Sequence, residues 1–205
     1  MKVKICGIQT FEHARAAEQA GADALGFMFA ESKRRISAVV AKQIISKLDD
    51  GSWKVGVFVN ENVETVENVA QYCGLTAIQL HGEEEPADYL AVGLPIIKSI
   101  GINSTQEEIE VKDVRYADYL LLDTAAQEYK GGNGVPFDWE KVKGIGHIYP
   151  NIILAGGLNA GNVHTAINMV HPFMVDVSSG VEVNGRKNTR KIFEFIKMAK
   201  EEAMK

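Results

Sequence analysis

Eight short apolar runs alternate with amphipathic stretches along the whole chain, and this alternation restricts the fold more than any other feature. The runs are VKIC (3–6), ALGFMF (24–29), KVGVFV (54–59), AIQL (77–80), IIKSI (96–100), YLLL (119–122), IILA (152–155) and MVDV (174–177). Between them, FEHARAAEQA, VVAKQIISKL, VETVENVAQY and AGNVHTAINMV carry apolar residues at three- and four-residue spacing, the period of a helix with one buried face. Strands alternating with helices require right-handed crossovers and hence a parallel sheet, and runs apolar on both faces fit strands covered by helices. Eight units in 205 residues leave about 26 residues each, enough for a (β/α)8 TIM barrel, whose range begins near ~200 residues. No Pro/Gly/Ser-rich linker or shift in composition divides the chain, so the expectation is α/β, one barrel domain over 1–205.

A doubly wound open sheet uses the same alternation, but the G-x-G-x-x-G turn that such sheets use to bind dinucleotides is missing after Ile5. In a barrel, functional groups gather at the C-terminal ends of the strands. Those ends carry Cys6, His81, Asp123, the pair Gly156 and Gly157, and the trio Ser178, Ser179 and Gly180. All of them would face one mouth.

Composition narrows the partners. The net charge is −5 and basic residues are scattered apart from Lys33, Arg34 and Arg35, so no nucleic-acid footprint is present. No apolar run approaches the ~18 residues of a membrane helix, and the first residues lack the apolar core of a signal peptide, so a cytoplasmic protein is expected. Cys6 and Cys73 are too few for a disulfide framework and have no C-x-x-C spacing, which makes both free thiols. No exposed apolar stripe stands out, which makes a monomer the default and a homodimer the alternative.

Cys6 closes the first strand, where a thiol with an ordinary pKa of about 8.5 needs only a modest electrostatic shift to act as base or nucleophile. The competing reading is a buried core thiol. Cys73 has that character, on the apolar side of a helix closed by Gly74. Asp123 ends YLLLD, and burial at the tip of so apolar a strand would raise its pKa and suit a general acid; a helix cap or loop hydrogen bond is the alternative. AGGLNAGNV and DVSSGVE let backbone N–H groups approach an anion, in the position where barrels often bind phosphate, with Asn159 as a helix cap. The glycines could equally mark tight turns only. An arginine of SKRRIS could clamp a carboxylate or belong to a solvated patch. DTAAQEYKGGNGVPFDW reads as a lid hinged at Gly131, Gly132 and Gly134, with Phe137 and Trp139 anchoring the sixth helix. His13, His147, His164 and His171 show no ligand spacing, and no metal site is evident.

In order, KICGI, GADALGFMF, SKRRIS, VGVFVN, IQLHGEE, LLLD, GGNGVPFDW, LAGGLN and DVSSGVE closely resemble the phosphoribosylanthranilate isomerase family of tryptophan biosynthesis over nearly the whole chain. The resemblance implies an Amadori rearrangement of N-(5-phosphoribosyl)anthranilate to 1-(2-carboxyphenylamino)-1-deoxyribulose 5-phosphate, without a cofactor. It implies Asp123 as general acid and Cys6 as general base. It implies Arg34 on the anthranilate carboxylate, the backbones of Gly157, Ser179 and Gly180 on the phosphate, and supporting roles for His81 and Asp176. Gly7 would keep the backbone beside Cys6 clear of the substrate. The chain departs from the family pattern at Ala160 and Gly161 where proline often follows the loop asparagine, at Asn188 where aspartate is common, and at Val135 where a polar residue often sits. Two rivals are a histidine-pathway sugar isomerase, which carries aspartate where this chain has Cys6, and a non-catalytic sugar-phosphate-binding barrel, which would need neither Cys6 nor Asp123.

Overall fold

The computed structural model describes residues 1–103, 115–124 and 138–201. Eight parallel strands close a barrel in chain order: β1 (Lys2–Cys6), β2 (Ala24–Met28), β3 (Trp53–Phe58), β4 (Ala77–Leu80), β5 (Ile96–Ile102), β6 (Tyr119–Thr124), β7 (Ile152–Leu154) and β8 (Met174–Val177). Each lies within two residues of its expected run. Closure is made by β1 pairing with β8, in a register that sets Lys4 beside Asp176. The α-helices among the described residues are α1 (Phe11–Ala20), α2 (Ala38–Ile45), α3 (Val63–Cys73), α4 (Ile145–Ile148), α5 (Val163–Val170) and α6 (Thr189–Glu201). No helix among the described residues is long and apolar enough to cross a membrane.

The two-residue side-chain period sorts each strand into two columns. Val3 and Ile5 point outward into the layer shared with the helices, where they join Leu25, Ile78, Leu122, Leu154 and Val175 under Ala14, Val66, Ala166 and Phe195. The inward column forms a second core, Ala24, Val55, Ala77, Ile97, Leu121, Ile153 and Met174, at the N-terminal half of the barrel. Above it the inward positions turn polar, with Lys4, Gln79 and Asp176 buried. The barrel is thus filled with apolar side chains below and chemistry-bearing ones above.

Local signals set the helix ends. Thr10 and Asn62 accept hydrogen bonds from the backbone N–H groups of His13 and Thr65, and Gly74 takes the left-handed conformation and returns its N–H to Ala70. Cys73, on the last turn of α3, is buried and donates to the carbonyl of Ala38, as core packing requires. Three local features differ from expectation. A 3-10 helix, Pro86–Val92, replaces an α-helix after β4. Asn159 does not cap α5, which begins at Val163; its side chain accepts from Gly161 N, while Asn162 accepts from Asn159 N, so the two asparagines build the turn instead. A small hairpin, β9 (Glu182–Val183) and β10 (Arg186–Lys187), stands between β8 and α6. Its Asn184-Gly185 turn has both residues at positive φ, the pattern of a tight hairpin. Of the expected lid, Gly131, Gly132, Gly134, Val135 and Phe137 lie outside the described residues, while Trp139 opens a 3-10 turn packed on the core.

Phe195 is fully buried in the outer layer. Phe195→Ala is expected to lower unfolding free energy by about 3–5 kcal/mol, seen as a lower urea midpoint with an unchanged denaturant slope.

Candidate active site

Lys4 and Cys6 occupy successive inward positions of β1, so the thiol stands one layer above a buried ammonium. Lys4 Nζ donates to Gln79 Oε1 at 2.9 Å and to Asp176 Oδ2 at 3.0 Å. Burial works against a charged ammonium, yet the negative groups around it, Asp176 foremost, hold the Lys4 pKa above its usual value. For Cys6 burial wins: the thiol is pushed up despite the opposing pull of Lys4 and, more weakly, of Lys187. Gly26 on the neighbouring strand gives the thiol its room, because a Cβ there would lie 2.8 Å from Cys6 Sγ.

Across the mouth, Asp123 is the penultimate residue of β6, and its Oδ1 accepts from Thr124 N at 2.7 Å. Burial raises this carboxyl, with His81 and the Thr124 N–H pulling the other way. His81 Nε2 lies 3.9 Å from Asp123 Oδ2. On its other side His81 Nδ1 is 2.7 Å from Ser99 Oγ and 3.0 Å from Gln79 Nε2. One polar chain therefore runs from Asp176 through Lys4, Gln79 and His81 to the edge of Asp123. Asp176 Oδ1 is buried with no partner among the described residues, so the layer beneath the mouth keeps one acceptor free for a hydroxyl.

Gly157, Ser179 and Gly180 line one cavity of about 560 Å³ between the loops after β7 and β8. The loops touch so closely that a side chain at position 180 would run into the carbonyl of Leu158. Ser179 and Gly180 open a 3-10 turn, whose first N–H groups have no preceding carbonyl in register. Lys33 and Lys191 line the same cavity, as do Glu182 and Glu194, so its side chains carry both signs of charge. Unpaired backbone N–H groups at the start of such a turn have the chemistry to take an anion.

Arg34 reaches the same end of the barrel. Its Nε and Nη2 donate to Glu182 Oε1 and Oε2 at 2.6 and 3.0 Å. Arg34 Cδ passes directly over Gly7, where a Cβ would come within 2.6 Å of it. The room that Gly7 makes is therefore room for Arg34. Lys187 Nζ donates to Glu182 Oε1 at 2.7 Å and to the carbonyl of Ser178 at 2.9 Å, and Ser178 Oγ donates to the carbonyl of Cys6 at 3.1 Å. Burial would raise the Glu182 carboxyl, but the hydrogen bonds from Arg34 and Lys187 bring it down to about 2. Among the described residues, no three His, Cys, Asp or Glu side chains group as a metal ion would need.

The sequence of residues 3–198 matches the family model described as N-(5'phosphoribosyl)anthranilate (PRA) isomerase. The chain belongs to that family. A Bacillus mycoides N-(5'-phosphoribosyl)anthranilate isomerase is 48% identical over 202 residues, 98% of either chain. The crystal structure of a Thermotoga maritima phosphoribosyl anthranilate isomerase superposes with a TM-score of 0.88 at 41% identity, covering 98% of this chain and 99% of that one. A second isomerase structure, solved with reduced 1-(o-carboxyphenylamino)-1-deoxyribulose 5-phosphate bound, gives 0.82 at 39% identity over 98% of this chain and 99% of that one.

In this isomerase the sequence reading overlooks Lys4, Gln79, Ser99, Glu182 and Lys187. A signal for Lys4 and Gln79 is present: each is a lone polar residue inside an apolar strand run, at an inward register. Glu182 gives no such signal, since its partner Arg34 is 148 residues away in sequence, and Lys187 gives none because it acts through Glu182.

Lys4→Met removes the cation that favours the Cys6 thiolate, so the thiol should titrate at higher pH than in the wild type. Thiolate ultraviolet absorbance against pH reads this directly. The same substitution leaves Asp176 buried without its counter-charge, which should destabilise the fold by about 3 kcal/mol.

Proposed function

We propose that the chain carries out the reaction of its family, the Amadori rearrangement of N-(5-phosphoribosyl)anthranilate in tryptophan biosynthesis, with Asp123 as acid and Cys6 as base. The observation that carries this reading is the pairing of a raised carboxyl and a thiol backed by a buried ammonium at one barrel mouth, next to an anion cradle. Protonated Asp123 gives its proton to the furanose ring oxygen, the bond from that oxygen to the first sugar carbon breaks, and a protonated Schiff base forms. Cys6 thiolate takes the proton from the second carbon, and the electron pair left behind neutralises the iminium to give an enolamine. The enol hydroxyl then loses a proton as the first carbon gains one, leaving the ketone. Protons given and taken balance, so Asp123 and Cys6 return to their starting states by exchange with solvent.

Each end of the substrate has a partner of matching chemistry. The phosphate lies against Gly157, Ser179 and Gly180, and the anthranilate carboxylate against Arg34. Asp176 Oδ1 accepts from a sugar hydroxyl, and His81 steadies Asp123. The reading needs no cofactor and assigns the step to the cytosol, where phosphorylated biosynthetic intermediates are held.

A coupled assay that generates phosphoribosylanthranilate in place and follows loss of its fluorescence tests the reading. Cys6→Ser should lose at least ~100-fold in turnover, the scale of a general base, whereas Cys73→Ser should stay active. Equal activity of the two variants would remove the assignment. Asp123→Asn keeps size but has no proton to give, and it should fold normally and turn over at least ~100-fold more slowly.

The pH profile follows from the two raised values. The working form needs Asp123 protonated and Cys6 ionised, and burial raises both groups. On the acid side the thiol takes up a proton and on the alkaline side Asp123 has lost its own, so kcat/KM should fall on both sides of an optimum. Asp123→Asn should abolish the alkaline fall, a result that a pH series of kcat/KM resolves.

A further inference from the structure

We propose that Glu182 is a positioning residue that aims the Arg34 guanidinium and so sets the preference for a carboxylated aromatic amine. The inference rests on the reading above that Arg34 meets the anthranilate carboxylate. An arginine side chain has four rotatable bonds, and one on a loop would sweep a wide volume. Here one edge of the fork is fixed, because Nε and Nη2 both donate to Glu182, at 2.6 and 3.0 Å. The end of the fork, Nη1 with the second hydrogen of Nη2, is left over, and that pair of donors has the spacing for two parallel bonds to a carboxylate.

A second carboxylate so near would repel the substrate if Arg34 and Glu182 simply cancelled. Lys187 prevents this. Its ammonium donates to the same Glu182 oxygen at 2.7 Å, so two cations share one carboxylate and the cluster keeps one positive charge. The cluster is held tightly, with side-chain exposures of 14% for Arg34, 6% for Glu182 and 2% for Lys187. Lys187 also grips the carbonyl of Ser178, immediately before the turn that lines the anion cavity. Glu182 is therefore held from two sides, by the Arg34 fork and by a lysine that is itself anchored on the Ser178 carbonyl.

The test compares two substrates, phosphoribosylanthranilate and the corresponding phosphoribosylaniline without the carboxylate. Glu182→Gln keeps the size but weakens the hold on Arg34. It should raise KM for the carboxylated substrate about tenfold, the low end for losing a charge-assisted hydrogen bond, with kcat within about twofold. On the substrate without the carboxylate it should match wild type within about twofold. In an Arg34→Met background, Glu182→Gln should add no further discrimination. Equal loss on both substrates would overturn the proposal and leave Glu182 as a loop anchor. If Arg34→Met also penalises both substrates equally, the assignment of Arg34 itself fails; if only Arg34→Met discriminates, the assignment stands and the role of Glu182 falls. Should Glu182→Gln not fold, Glu182→Asp keeps the charge but withdraws it by one methylene, and the same split in KM between the two substrates decides the matter.

Discussion

The ion pair between Lys4 and Asp176 sits at the seam where the first strand meets the last, and the inner half of the barrel is arranged around it. Burying an ammonium and a carboxylate is costly unless each is paired and its remaining hydrogen-bonding capacity is used. The closing register meets that demand by placing Lys4 opposite Asp176, and Gln79 from the far side takes a further proton of the ammonium. A slip of one residue would turn Lys4 out among the helices and bring Val3 or Ile5 inside. The same pair stands beneath Cys6, Lys4 favouring its thiolate and Asp176 opposing it, so the contact that closes the fold also shapes the field at that thiol.

Much of this is legible in the sequence, for a reason that also marks its boundary. Strands buried on both faces read as apolar runs, and eight such runs with helical periods between them leave few architectures. Within those runs Lys4, Gln79 and Asp176 break the pattern, and of the three only Asp176 reads as a site residue. The Asn184-Gly185 turn is a strong local hairpin signal, yet strands of two residues on either side are too short for any periodicity to show. Asn159 and Asn162 are both good cap residues by type, and only the course of the backbone decides that they bond to the turn and not to the helix. Arg34 shows the opposite limit. A basic loop residue looks the same in sequence whether it faces solvent or grips a glutamate contributed by the other end of the chain.

Several of the glycines near the mouth act through the side chain they lack. Gly26 leaves space for a thiol, Gly7 for the stem of an arginine, and Gly180 for a neighbouring carbonyl. A conformational explanation, the usual one for glycine in a turn, accounts for Gly7 only in part and for the other two not at all, since neither has a positive φ. The close approaches at Gly7 and Gly180 bring the loops after β1, β2, β7 and β8 into direct contact around the mouth.

The field inside the barrel also orders the proposed chemistry. Before ring opening, the thiolate is disfavoured by burial and by the carboxylate of Asp176, and Lys4 only partly offsets them. Ring opening by Asp123 changes this, because the protonated Schiff base carries a positive charge directly beside the carbon that Cys6 must deprotonate. That charge acidifies the C–H bond and stabilises the thiolate at the same moment, in a site where water does little to screen it. The acid step therefore prepares the base step, and a thiol with a raised pKa in the empty enzyme is suited to its task.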